Sequence, residues 1–293
     1  MKKIIVIFLL LITTFALSAQ FRDNANLSLF GGGHVATQNT NNSGYWYGMY
    51  AEYMPIKTNG WNIGMSVVAS STGFKSNDRT DTYSGNSSSF GGGLAVGKYV
   101  HDLSLTHSGY FGSNLMLKRN LDSGNGESLG NDGLLGNFSM NQKDVIFSGE
   151  LNLNFLKKIN EGNEFFPRTQ IRLFFQKPLS ASREAYWDEK LIDESYHYDN
   201  SSFSLELKES IISFGSRTQL EPKLYVGYYH YKGNKSNWLA IGPEFALKKK
   251  GWDDFLSVYL LLKKQVGSFE KNLSSSQIVF GINFMPFNMK KTN

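Results

Sequence analysis

Serine and histidine in reach of each other could support nucleophilic hydrolysis, because a hydroxyl attacks only when a neighbouring base takes its proton. His101, Ser104, His107 and Ser108 lie close together in the chain. His34, His197 and His230 are scattered, each with Ser or Asp in the adjacent segment. Neither group carries a His-x-Ser-Asn-Gly run. Metal ligation has less to stand on: there is no His-x-His, no His-Glu-x-x-His, and 122–132 lacks EF-hand spacing. Phe30-Gly31-Gly32-Gly33 and Phe90-Gly91-Gly92-Gly93 suggest a phosphate loop, but neither ends in Lys-Ser/Thr. The chain holds no Cys, which excludes disulfides, thiolate metal sites and a cysteine nucleophile. No cofactor is implied, and an enzyme is not the expectation.

The other candidates are charged and amide side chains that alternate with apolar ones. Phe147, Leu151, Leu153 and Phe155 alternate with Ser148, Glu150, Asn152 and Asn154. Thr169, Ile171, Leu173 and Phe175 alternate with Arg168, Gln170, Arg172 and Gln176. Ile278, Phe280, Ile282 and Phe284 do the same against Val279, Gly281 and Asn283. A period of two is a strand with one greasy face. Twelve such segments follow one another, at about 25–33, 44–54, 60–71, 88–99, 108–118, 144–156, 165–176, 202–214, 222–231, 237–247, 253–264 and 277–287. In 202–214 the phase slips, which calls for a β-bulge near Ser210. Most segments reach the roughly 9–11 residues of a tilted membrane-spanning strand. The linking segments alternate in length: 34–43, 72–87, 119–143 and 177–201 are long, whereas 55–59, 100–107, 157–164 and 215–221 are short. Within 177–201, Trp187 and Leu191 are spaced for a helical turn.

Composition agrees. Aromatic residues reach 14% and charged residues only 19%. The formal net charge is +5, two units of it from Lys2 and Lys3, and no basic run exceeds Lys248-Lys249-Lys250, which is no nucleic-acid footprint. Lys2-Lys3, the apolar run Ile4–Ile12 and the small residues before Gln20 have the three parts of a secretory signal peptide. Residues 1–19 are therefore expected to be removed, leaving 20–293 as a single domain.

With these features the chain resembles the bacterial outer-membrane β-barrel proteins over residues 20–287. Its most specific element is the last strand, "SQIVFGINFMPF", whose alternating aromatics resemble the C-terminal signal read by barrel-assembly machinery; 288–293 follow it, a departure from that pattern. The "LSAQ" junction resembles signal ends of the Bacteroidota. The resemblance implies an all-β, transmembrane, antiparallel up-and-down barrel with long extracellular loops and short periplasmic turns. It also implies a Gram-negative outer membrane as the location.

If the greasy faces meet lipid, Glu52, Glu150, Asn152, Arg168, Gln170, Arg172, Glu206, Lys208 and Glu244 line the lumen. Setting Asn154 opposite Arg168 brings Glu150 opposite Arg172, an unlike-charge pair. Lys232, Lys235, Lys263, Lys264 and Lys271 gather on the outer side and suit lipopolysaccharide phosphates. The expected function is a small porin or narrow passive solute channel. The alternatives are a closed barrel with a structural or partner-docking role in the envelope or a secretion assembly, and a lipid-modifying barrel enzyme.

Overall fold

The computed structural model describes residues 25–37, 42–77, 82–104, 107–129, 135–157, 168–194, 201–212, 214, 218–233, 235–249, 254–266 and 276–287. Their strands are β1 (Ala25–Ala36), β2 (Ser43–Thr58), β3 (Trp61–Asn77), β4 (Thr82–Ser104), β5 (His107–Leu129), β6 (Leu135–Lys157), β7 (Arg168–Trp187), β8 (Lys190–Glu194), β9 (Ser202–Ser210), β10 (Thr218–Tyr231), β11 (Ser236–Lys249), β12 (Asp254–Val266) and β13 (Ser276–Phe287). Each strand pairs antiparallel with its sequence neighbour, except that β9 skips the short β8 and pairs with β7. The β1–β13 pairing closes the ring. Twelve strands thus form a closed antiparallel barrel of the transmembrane kind, and β8 is an appended arm. No described helix is long and apolar enough to cross a membrane, which leaves crossing by strands open.

Closure satisfies the backbone groups that an open sheet edge would leave bare. Two tight turns set the local registers. At Asn59-Gly60 both residues have positive φ, 48° and 76°, the backbone that a two-residue hairpin requires and that Gly accepts without strain. Asp188-Glu189 repeats this geometry between β7 and β8. Asp188 Oδ1 there accepts the Asn137 backbone N–H at 2.8 Å, tying the turn to β6.

The outer face carries a continuous belt of large apolar side chains, among them Leu94, Leu117, Leu205, Ile241, Leu260 and Phe280, with Ile241 52% exposed. A water-soluble monomer rarely exposes apolar patches beyond a few hundred Å². This surface suits hydrocarbon.

Four expectations need correction. Residues 72–77, 82–87, 119–129, 135–143 and 177–187, expected in long loops, are strand: β5 and β6 stay paired from His107–Lys157 to Leu129–Leu135. These segments are rich in Gly, Ser and Asn and lack apolar alternation because they rise beyond the apolar belt. The helical turn at Trp187–Leu191 is the β7–β8 hairpin, whose Trp187 and Lys190 are paired. The strand expected over 202–214 ends at Ser210; Ile211 still donates to the Pro222 carbonyl, and Phe214 forms an isolated bridge with Leu220. Finally, β6 and β7 are offset by two residues from the expected register, with Asn154 opposite Gln170 and Asn152 opposite Arg172. An offset of two keeps every side chain on its expected face.

Candidate functional site in the barrel interior

The inward faces of the strands hold nearly all the ionisable groups that could act on a solute. Glu52 of β2 accepts from Asn26 Nδ2 and Asn114 Nδ2, both at 2.9 Å, and from the Tyr50 hydroxyl. Asn114 belongs to β5, so this contact reaches past β3 and β4. The intervening wall permits it, because Ser66 and Gly93 stand at that level, and a Cβ on Gly93 would collide with the Leu115 carbonyl.

A second group centres on Arg172. Its guanidinium meets Glu150 at 2.7 Å on one side and Glu206 at 3.5 Å on the other. Glu206 also accepts from the Tyr229 hydroxyl at 3.2 Å, and Tyr229 is bonded to Tyr225. The expected Glu150–Arg172 partnership therefore exists, but as a diagonal contact rather than a directly opposed pair.

A third group lies on β7 and β9–β11. Lys208 meets Glu244 at 2.6 Å, Lys223 lies 4.0 Å from the same carboxylate, and Lys223 Nζ donates to Gln170 Oε1 at 3.4 Å. Gln170 in turn donates to Asn154 at 2.8 Å. Towards the end of the barrel that holds the termini, Lys248 pairs with Glu221, which also accepts from Ser210. Glu221, Lys223 and Glu244 are 0%, 1% and 1% exposed, so this sector of the interior is filled. Arg172 differs, with 44% of its side chain accessible although it points inward.

Aromatic rings gather on the inner wall of β1, β2 and β10–β12, toward the end away from the termini. His34 stacks on Trp46 at 6.4 Å, and the Trp46 ring lies over Gly32, where a Cβ would come within 2.5 Å of it. Lys263 Nζ sits 4.6 Å from the Tyr229 ring centre, 5.2 Å from Trp238 and 5.4 Å from Tyr231. Such packing gives a desolvated ammonium a cation–π environment.

Eight of the nine expected lumen residues have described side chains, and their contacts and strand faces put all eight inside. Arg168 pairs with Leu156 through its backbone, but its side chain lies outside the described residues. Lys263 was expected among the lipid-contact lysines, yet it points inward. The Leu260-Leu261-Leu262 run hides the parity that sends Leu260 and Leu262 out and Leu261 and Lys263 in. Lys232, Lys235 and Lys264 are exposed, and Lys271 lies outside the described residues.

Sequence reasoning missed Tyr50, Asn114, Glu221 and Lys223. The last two are legible in the alternation of Leu220, Pro222 and Leu224 with them, but Glu221 precedes the expected strand start at 222, and Glu244, which faces Lys223, is distant from it in the chain. It also passed over Gly126-Glu127-Ser128-Leu129-Gly130, which has the Gly-x-Ser-x-Gly spacing of a nucleophile elbow. That motif needs a strand-to-helix turn. Gly126–Leu129 is instead continuous β5 strand paired with β6. Among the described histidines, His34 faces inward, whereas His230, bonded to Asn237 at 2.8 Å, lies on the outward face of β10.

The barrel has counterparts among solved structures. The β-domain of the Bordetella autotransporter BrkA is 11% identical with a TM-score of 0.51, over 89% of this chain and 98% of that one. The translocator domain of the autotransporter NalP from Neisseria meningitidis is 9% identical with a TM-score of 0.53, over 93% and 91%. What they share is the fold. No family model and no curated protein sequence matches the chain.

Proposed function

We propose that this chain is an outer-membrane β-barrel, exported through a cleaved signal peptide, that works as a closed barrel with a structural or docking role rather than as an open pore. The observation that carries this reading is the set of inward charged groups, Glu221, Lys223 and Glu244, that water barely touches. A wide aqueous channel would leave them wet. The Tyr50–Asn114–Glu52 contacts across the β3–β4 wall support the same reading on the other side of the barrel. Export predicts that protein extracted from membranes begins at Gln20 or Ala19; a chain starting at Met1 would refute the signal-peptide assignment.

A narrow passive channel is the second reading, and the accessible Arg172 between Glu150 and Glu206 favours it. Planar-bilayer recording separates the two. The closed barrel should show no steady conductance, and neither Glu150→Gln nor Arg172→Gln should create any. If it conducts, Glu150→Gln should shift reversal potentials toward anions and Arg172→Gln toward cations. A lipid-modifying enzyme draws no support from His34 and His230, which occupy opposite faces of the wall.

A further inference from the structure

The outer face of β5–β7 carries three cations within a four-residue span of the β6 register, from Lys143 to Phe147. Arg119, Lys143 and Lys177 are all exposed, and none has an ion-pair partner among the described residues. Lys143 stands directly beside Leu121, Arg119 beside Val145, and Lys177 beside Phe147. Among the described side chains Leu121 is the last large apolar one on the outward face of β5; Ser123, Asn125 and Glu127 follow it. Arg119 and Lys143 therefore sit where the apolar belt of β5 gives way to polar wall, and Lys177 lies lower, with the exposed Leu179 beyond it on β7. Their long stems can lie along apolar surface while the heads reach upward. Glu184 is the acid close by, on β7 opposite Asn141.

Above these cations the same wall is hollowed. A cavity of about 810 Å³ opens between the ends of β3–β7, lined by Ser84, Asn125, Glu127, Asn137 and Tyr186 among others. Asn125 accepts from Ser84 Oγ at 3.1 Å, and its amide nitrogen has no other partner among the described residues. Asn125 lies opposite Ser139, four residues further along both strands than the Leu121–Lys143 pair. At about 3.4 Å per residue that is a rise of roughly 14 Å along the strands. Amides, hydroxyls, two carboxylates, the Lys75 ammonium and the rings of Tyr83, Phe138 and Tyr186 make a lining that donates, accepts and stacks, the chemistry that sugar rings and their hydroxyls require. A peptide adding itself as a strand would need an open edge. Of the edges among the described residues, β8 carries Lys190, Asp193 and Glu194 in its five residues, and the Lys177–Arg183 stretch of β7 begins and ends in a cation, the charged composition that discourages such pairing.

We infer that this face binds a phosphorylated glycolipid of the surrounding outer leaflet, that is, lipopolysaccharide. Arg119, Lys143 and Lys177 hold its phosphates near the top of the apolar belt, and the cavity above them holds its sugar chain. The inference rests on the outer-membrane placement proposed above, but it does not depend on whether the lumen is closed.

The test uses delipidated full-length protein in nanodiscs, with three probes: lipopolysaccharide bearing its phosphates and core sugars, the same material dephosphorylated, and lipid A alone. Wild-type protein should bind the intact probe at least tenfold more tightly than the dephosphorylated one. Arg119→Gln/Lys143→Gln/Lys177→Gln should abolish that preference. Asn125→Ala/Asn137→Ala should weaken the intact probe severalfold and leave lipid A unchanged. Lys232→Gln/Lys264→Gln, on the other side of the barrel, should bind as wild type does. Heat-modifiable gel migration verifies that each variant is folded. Unchanged binding by the folded triple variant, or an equal loss in the Lys232/Lys264 variant, overturns the inference. Membrane fractionation reads the placement separately, so failure of that reading is recognisable as such.

Discussion

Glu244→Gln should destabilise the barrel by about 3–5 kcal/mol, the usual cost of breaking a buried ion pair from one side. Glutamine keeps the shape and some hydrogen bonding but removes the charge that faces both Lys208 and Lys223. Two ammonium groups would then share a dry interior with less compensation, and Lys223 is 1% exposed. The urea midpoint for unfolding from detergent micelles should fall accordingly. Adding Lys208→Met to the Glu244→Gln variant should recover part of the loss, since one of the two stranded charges is gone. A midpoint equal to wild type in the single variant would mean that the interior there is wet.

Ile241→Arg should cost about 2–4 kcal/mol on refolding into bilayers, the penalty for Arg at the membrane midplane of a barrel. Ile241 lies mid-strand on β11 and is 52% exposed on the outward face. Leu151→Arg on β6 should behave alike. Ser123→Arg, outward but beyond the apolar belt, should cost no more than about 1 kcal/mol because the depth penalty fades near the interface. If all three variants refold equally well in lipid vesicles, the outward belt does not face hydrocarbon.

The twelve barrel strands were legible because period-two alternation is imposed wherever one face meets lipid and the other meets the interior. The same logic explains what was not legible. Beyond Phe90 on β4 and Leu121 on β5 the described outward side chains are polar, so runs such as Ser84–Ser87 and Ser123–Glu127 carry no apolar signal and read as loops. They are nonetheless fully paired strand. Alternation also fixes a face without fixing an offset. Glu150 and Arg172 were assigned to the interior correctly, yet the hairpin was set two residues out. Contacts between strands that are not sequence neighbours, such as Asn114 to Glu52, depend on barrel curvature and on small residues between them, and a one-dimensional pattern carries neither.

The staves of this barrel are held together unequally. The β5–β6 pairing runs unbroken for the whole length of both strands, whereas the β1–β13 closure covers only Leu27–Ala36 and is interrupted between Leu27 and Leu29. Glycines stand on both sides of that closure, Gly31, Gly32 and Gly33 facing Ile282, Gly281 and Phe280. The β7–β9 pairing is thin as well, Thr169–Gln176 only, and local opening follows the weakest sets of contacts. Amide protons of β1 and β13 should accordingly trade with deuterated solvent well before those of β5 and β6. The first and last strands then form one of the two zips of the molecule, the seams that part before the tall β5–β6 staves do under load.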